Sequence, residues 1–154
     1  MGIQVPAGGV RSGETPEDAA LRECREETGL TDFKIVWKLG ETEYDISPYR
    51  FEILRRHVFH LELTEPTPQR WASQEDHDGE SQPTHFECFW IPLEAAHIFQ
   101  SGQGALLGLL FDKVLAGQKP MPICMISDRS SIFVTPIPTD PSLPPVFPTT
   151  PAPQ

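Results

Sequence analysis

Two stretches of the chain repeat their apolar residues at helical spacing, and several others alternate as strands do. In PEDAALRECREET (16–28) Ala20, Leu21 and Cys24 fall on one side of a helix. Thr15 suits the N-cap, Pro16 the first helical position, Glu17 and Asp18 the positive end, and Gly29 the C-terminal stop. These signals predict a helix from Pro16 to Thr28. GALLGLLFDKVLAG (104–117) has the same periodicity, ends in glycine, and reads as a second helix. GIQVPAGG (2–9) reads as a short strand broken by Pro6 and two glycines. FKIVWKLGETEYD (33–45) reads as strand, glycine turn and strand; EILRRHVFHLELT (52–64) as a longer strand; FECFWIPL (86–93) as a strand ending at Pro92. SIFVTP (131–136) closes the pattern as a short terminal strand, and the acidic, turn-rich PTPQRWASQEDHDGESQPT (66–84) reads as a long loop. Helices mixed with strands make this an α/β chain.

Composition changes the picture at the C-terminus. PIPTDPSLPPVFPTTPAPQ (136–154) has proline at eight of nineteen positions, which neither a sheet nor a core accommodates. The reading is one folded domain over 1–134 and a Pro-rich disordered tail over 135–154. A formal net charge of −10 argues against long nucleic acid as a partner, since backbone phosphates call for clustered Lys and Arg. Cys24, Cys88 and Cys124 are odd in number and show no close pair, so they read as apolar packing residues in a reducing compartment. With no apolar run of spanning length and no leader pattern, the expectation is a cytoplasmic protein with no membrane partner.

Charge on the first helix carries the candidate chemistry. At about 100° per residue, with Glu23 at zero, Glu27 falls near 40° and Glu26 near 300°. This acidic arc borders the stripe of Ala20, Leu21, Cys24 and Thr28 that is expected to pack. Alone it is unfavourable. Glu23 and Glu27 are like charges one turn apart, costing roughly 0.2–0.5 kcal/mol, and Glu26 and Glu27 sit near the negative end of the helix dipole. A divalent cation held by these oxygens reverses the local field, and Mg²⁺, a hard ion with oxygen ligands, suits best, with Mn²⁺ as the alternative. The plain alternative is a solvated acidic face.

The residues around the helix tip the balance. Gly8, Glu14, Arg22, Glu23, Glu26, Glu27 and Gly29, with Leu30 following, fill the fixed places of Gly-x5-Glu-x7-Arg-Glu-U-x-Glu-Glu-x-Gly-U, where U is bulky and aliphatic. The stretch resembles the signature of the Nudix hydrolases, departing from it only in Cys24 at the first U. Seven identities at residue frequencies of about 5–7% arise by chance roughly once in a billion positions. The resemblance implies an α/β/α sandwich with a mixed sheet that hydrolyses a nucleoside diphosphate linked to another moiety. By position, Glu23, Glu26 and Glu27 resemble the metal ligands, and Glu23 also the base that activates water. Glu14 corresponds to a further metal-site carboxylate, the Gly9 carbonyl to a backbone ligand, and Arg22 to the residue that holds Glu23. The implied partner is a small nucleotide-derived substrate.

Some family members recruit a further acid from a later loop. Here Glu75, Asp76, Asp78 and Glu80 are candidates, and Glu80, nearest the strand FECFW, is favoured as the catalytic one. Arg55 and Arg56 could reach phosphates but read as surface residues; Trp37 and Trp71 could stack on a base but read as core or rim. His57, His60, His77, His85 and His97 show no ligand spacing. Only seven residues precede Gly8, whereas family domains carry strands there, so the N-terminal strands are expected to be missing, with a truncated coding sequence as the favoured reason and a homodimer as another way to supply the edge. The competing class is a catalytically impaired nucleotide-binding or regulatory module.

Overall fold

The first helix, α1 (Pro16–Thr28), forms where its local signals place it. Thr15 is extended at φ −82°, and its hydroxyl oxygen accepts from the Asp18 amide at 3.1 Å. At the other end Gly29 takes φ 71° and donates its N–H to the Arg25 carbonyl at 2.9 Å. That left-handed angle is costly for a residue with a Cβ, so Gly29→Ala is expected to lose about 1 kcal/mol in urea unfolding.

The computed structural model describes residues 3–45, 47, 53–79, 81–98, 103–115, 123–124 and 132–136. After α1 come β1 (Phe33–Asp45), β2 (Ile53–Leu63), β3 (Arg70–Glu75), β4 (Thr84–Ile91), α2 (Leu107–Leu115), β5 (Ile123–Cys124) and β6 (Ile132–Pro136), with 3₁₀ turns at His77–Gly79 and Leu93–Ile98. One sheet has the order β1-β2-β6 and is mixed: β1 and β2 are antiparallel, β2 and β6 parallel. The other, β3-β4-β5, is antiparallel.

Alternation along β2 divides the core. Phe59, Leu61 and Leu63 point to one side and pack with Ala20 and Cys24 of α1, Phe33, and Cys88 and Trp90 of β4. Val58 points to the other side and packs with Val5, Leu39, Leu93, and Leu107 and Leu110 of α2. The β1-β2 sheet thus lies between α1 and α2, which is the α/β/α layering expected. Cys24 and Cys88 are buried free thiols. No helix among the described residues is long and apolar enough to cross a membrane.

Three sequence expectations change. Residues 33–45 form a single strand, because irregularities in the pairing with β2 at Ile35/Trp37 and Lys38/Gly40 absorb the glycine without a turn. Residues 3–9 are not a strand: the Val5 amide donates to Gln103 Oε1 at 3.2 Å and the Ala7 amide to Glu27 Oε2 at 3.0 Å, so side chains take the bonds a ladder would use. The expected loop 66–84 contains β3, paired throughout with β4. The short terminal strand read at 131–136 is β6; residues 137–154 lie outside the described residues.

Arg56, read as a surface residue, is 5% exposed, because it shares the α2-facing side of β2 with Val58 and His60. His60 is fully buried, with its ring 4.7 Å from that of Trp37. Burial holds its imidazole down at about 4. The unfolded chain takes up that proton below its ordinary value of about 6.5, so stability present at neutral pH is lost as pH falls from about 6.5 through about 4. A His60→Gln variant is expected to lose less stability than the wild-type chain in urea unfolding compared at about pH 7 and about pH 5.

Candidate metal centre

Helical geometry sets Glu23 and Glu26 on neighbouring turns, and the cover above them completes the site. The buried arc of α1 comprises Ala19, Ala20, Glu23, Cys24, Glu27 and Thr28. It therefore includes Glu23 and Glu27, which the helical wheel placed at its border. The cause is the segment 3–9. Ala7 bonds to Glu27, and Gly8 lies so close to Glu23 that a Cβ built on it would sit 1.8 Å from the Glu23 carboxyl carbon.

Arg22 binds the site together. Its Nε donates to Glu14 Oε1 at 2.8 Å and one terminal nitrogen to Glu14 Oε2 at 3.0 Å, a two-pronged pair. That same nitrogen donates to the Gly9 carbonyl at 2.8 Å, and the other donates to Glu23 Oε1 at 2.6 Å and Glu26 Oε2 at 2.9 Å. Glu14 also accepts from the Arg11 amide at 2.9 Å. Arg22 and that amide hold the Glu14 carboxyl down at about 2, while Glu14, Glu23 and Glu26 raise Arg22 further above its already high value. Glu23 moves the other way. Burial raises its pKa; Arg22 opposes the rise, and Glu26 and Glu75 add to it.

Glu75 was among the acidic residues weighed in the sequence, but not the favoured one. Strand β3 docks on the C-terminal end of α1, where Trp71 Nε1 donates to the Thr28 carbonyl at 2.8 Å. Trp71, Ser73 and Glu75 share the half-buried side of that strand. Glu75, at its end, arrives beside the helix carboxylates. Glu23, Glu26 and Glu75 each offer an oxygen, all within 4.8 Å of one another. The signal was available as the period-two series Trp71, Ser73, Glu75, whose first member is aromatic. Glu27 lies outside that group of three, its carboxylate turned to Ala7. Glu80 lies outside the described residues, as does the side chain of Asp78.

A cavity of about 310 Å³ opens at these carboxylates, lined by Arg11, Glu26, Gln74, Glu75, Asp76, His77 and Gly79. Trp71 and Trp37 both pack at the edges of the core. The donor set is all carboxylate, with excess negative charge that Arg22 offsets only in part. This fits a hard divalent cation with oxygen ligands.

A three-layered α/β/α domain with such a carboxylate cluster on its first helix belongs to the class suited to metal-assisted chemistry on phosphate groups. The chain is a member of the Nudix family, whose NUDIX domain model matches residues 2–107; that family generally uses a divalent metal. The RNA pyrophosphohydrolase of Brucella abortus (strain 2308) is 28% identical over 97 residues, 58% of this chain and 54% of that protein. The RNA pyrophosphohydrolase of Brucella suis biovar 1 (strain 1330) matches with the same identity and coverage. Nudix hydrolase 25 of Arabidopsis thaliana is 44% identical over 46 residues, 29% of this chain and 26% of that protein. The chain spans about half the length of the Brucella relatives. No solved structure is a significant match to it.

Proposed function

We propose that the chain is a Mg²⁺- or Mn²⁺-dependent hydrolase that cleaves the pyrophosphate bond of a nucleoside diphosphate linked to another moiety. The observation that carries this reading is the convergence of Glu23, Glu26 and Glu75, the last two of which line the cavity. These three would hold the ion; Glu14 and the Gly9 carbonyl, both engaged by Arg22, would lie behind them. Bound there, the ion supplies Lewis-acid neutralisation of the phosphate oxygens.

The remaining work falls to the chain itself. Arg22 fixes Glu23 and Glu26 in place, so that the site is organised before substrate arrives. Glu23, held by Arg22 at 2.6 Å, is the carboxylate suited to take the proton from the attacking water. Arg11, exposed at the cavity wall, offers a countercharge to a substrate phosphate. Glu75 takes the downstream acid role for which the sequence favoured Glu80. Glu75→Gln is expected to lower turnover about 10-fold or more, and Glu80→Gln much less, in parallel assays. A larger loss in Glu80→Gln than in Glu75→Gln would return the role to Glu80.

A second reading rests on the relatives named RNA pyrophosphohydrolase. The same bond cleavage at the 5′ end of an RNA needs only the terminal phosphates in the cavity, although a net charge of −10 opposes contact with a long strand. The deciding assay offers small dinucleoside and sugar-linked diphosphates alongside 5′-triphosphorylated RNA, each with Mg²⁺ and with chelator. Turnover of the small compounds that stops with chelator supports the first reading; turnover confined to RNA supports the second. Nucleotide binding without turnover of any compound would favour the regulatory module.

A further inference from the structure

Glu75 stands at the end of a strand, carries a flexible side chain, and faces two other carboxylates. Electrostatics favours its swinging away, since it adds to the charge that raises the pKa of Glu23. Its observed place beside Glu23 and Glu26 therefore needs a restraint, and the next turn of the chain supplies one. His77 has a left-handed backbone at φ 48°, where a non-glycine residue pays a steric cost. That conformation turns the chain back on itself within the His77–Gly79 turn, with the Gly79 amide donating to the Asp76 carbonyl at 2.8 Å. The imidazole comes to lie with Nδ1 3.1 Å from Glu75 Oε1 and Nε2 2.7 Å from Thr84 Oγ1.

Glu75 and Thr84 are also register partners across β3 and β4. The ring thus spans a cross-strand pair, hydrogen-bonded to Thr84 on β4 and in contact with the carboxylate on β3.

We propose that His77 is the positioning residue of this centre: with Thr84 as its anchor, its imidazole packs 3.1 Å from Glu75 Oε1 and keeps that carboxylate in reach of Glu23 and Glu26. The inference rests on the carboxylate reading of the site. It assigns His77 no contact with substrate.

Ion affinity separates the possibilities. Mn²⁺ is titrated into the full-length chain, with free ion followed by paramagnetic resonance, for wild type, Glu75→Gln, His77→Gly and His77→Asn. Glycine relieves the left-handed backbone but removes the ring. Asparagine tolerates that backbone and keeps a polar side chain beside Glu75. Expected are Mn²⁺ affinities about 10-fold or more weaker in Glu75→Gln and His77→Gly, with His77→Asn within about 3-fold of wild type. Weakening in Glu75→Gln with none in His77→Gly overturns the role of His77 and leaves the carboxylate site standing. Equal weakening in His77→Gly and His77→Asn, with unchanged melting temperatures in chelator, also overturns that role. Absence of Mn²⁺ binding by the wild-type chain overturns the site and the inference together.

Discussion

Glu23→Gln is expected to lower pyrophosphate hydrolysis by roughly 10²–10⁴-fold, the range typical for removing a general base, while the protein remains folded. The amide matches the carboxylate in shape, so it fits against Gly8 and can still accept from Arg22. What it cannot do is take a proton or contribute a full negative charge. Steady-state kinetics at saturating ion concentration provide the check; turnover within a few-fold of wild type would remove Glu23 from the chemistry.

The same substitution carries a stability signature of opposite sign. Burial, with Glu26 and Glu75 nearby, raises the pKa of Glu23 in the ion-free fold above the unfolded value. Between those two values the folded chain binds more protons than the unfolded chain, so stability falls as pH rises through that window. Glutamine has no such window. In chelator, Glu23→Gln is therefore expected to melt above wild type at neutral pH, and the gap is expected to shrink as pH drops into the ordinary carboxylate range. A gap independent of pH would show that the ionised carboxylate is not what strains the fold. A residue that lowers stability where it is ionised and is required for turnover is retained for function.

Physical locality separates what could be read in the sequence from what could not. α1 was legible because Thr15, Pro16, Gly29 and the apolar period all act within thirteen residues of helix and its caps. The Glu23–Glu26 half of the centre was legible for the same reason, since a helix places residues three apart side by side. Glu75 was obscured because RWASQE has one large apolar residue. Its strand character comes from pairing with β4 and from the Trp71 bond to the Thr28 carbonyl, 43 residues away. Segment 3–9 was misread as a strand because its amides are satisfied by Glu27 and by Gln103, the latter 98 residues away. Burial of Glu23 and Glu27 was hidden with it, because a helical wheel shows faces but not what covers them. Gly40 suggested a turn, whereas pairing with β2 carries the strand through as a bulge.

That cover leads to the second large effect, at the adjacent glycines Gly8 and Gly9. Gly8→Ala is expected to disable the centre while sparing the fold. The added Cβ would meet the Glu23 carboxyl carbon at 1.8 Å and its oxygens at 1.9 and 2.2 Å. All three atoms are the far end of a side chain, so the clash resolves by swinging Glu23 aside without disturbing the backbone. To restore even a tight contact the carboxyl must move by more than about 1 Å, and a displacement of that size can cost about 10²-fold in rate. The move also breaks the 2.6 Å bond from Arg22. Gly9 is different: a Cβ there meets nothing within 4 Å, and alanine keeps the carbonyl that accepts from Arg22. Gly9→Ala is therefore expected to stay within a few-fold of wild type in turnover. Near-wild-type turnover and Mn²⁺ affinity in Gly8→Ala would mean that Glu23 works from a position other than the one packed against Gly8. Loss of folding in that variant would instead show that segment 3–9 cannot yield. Loss of activity in a folded Gly8→Ala protein beside an active Gly9→Ala protein is the result this packing requires.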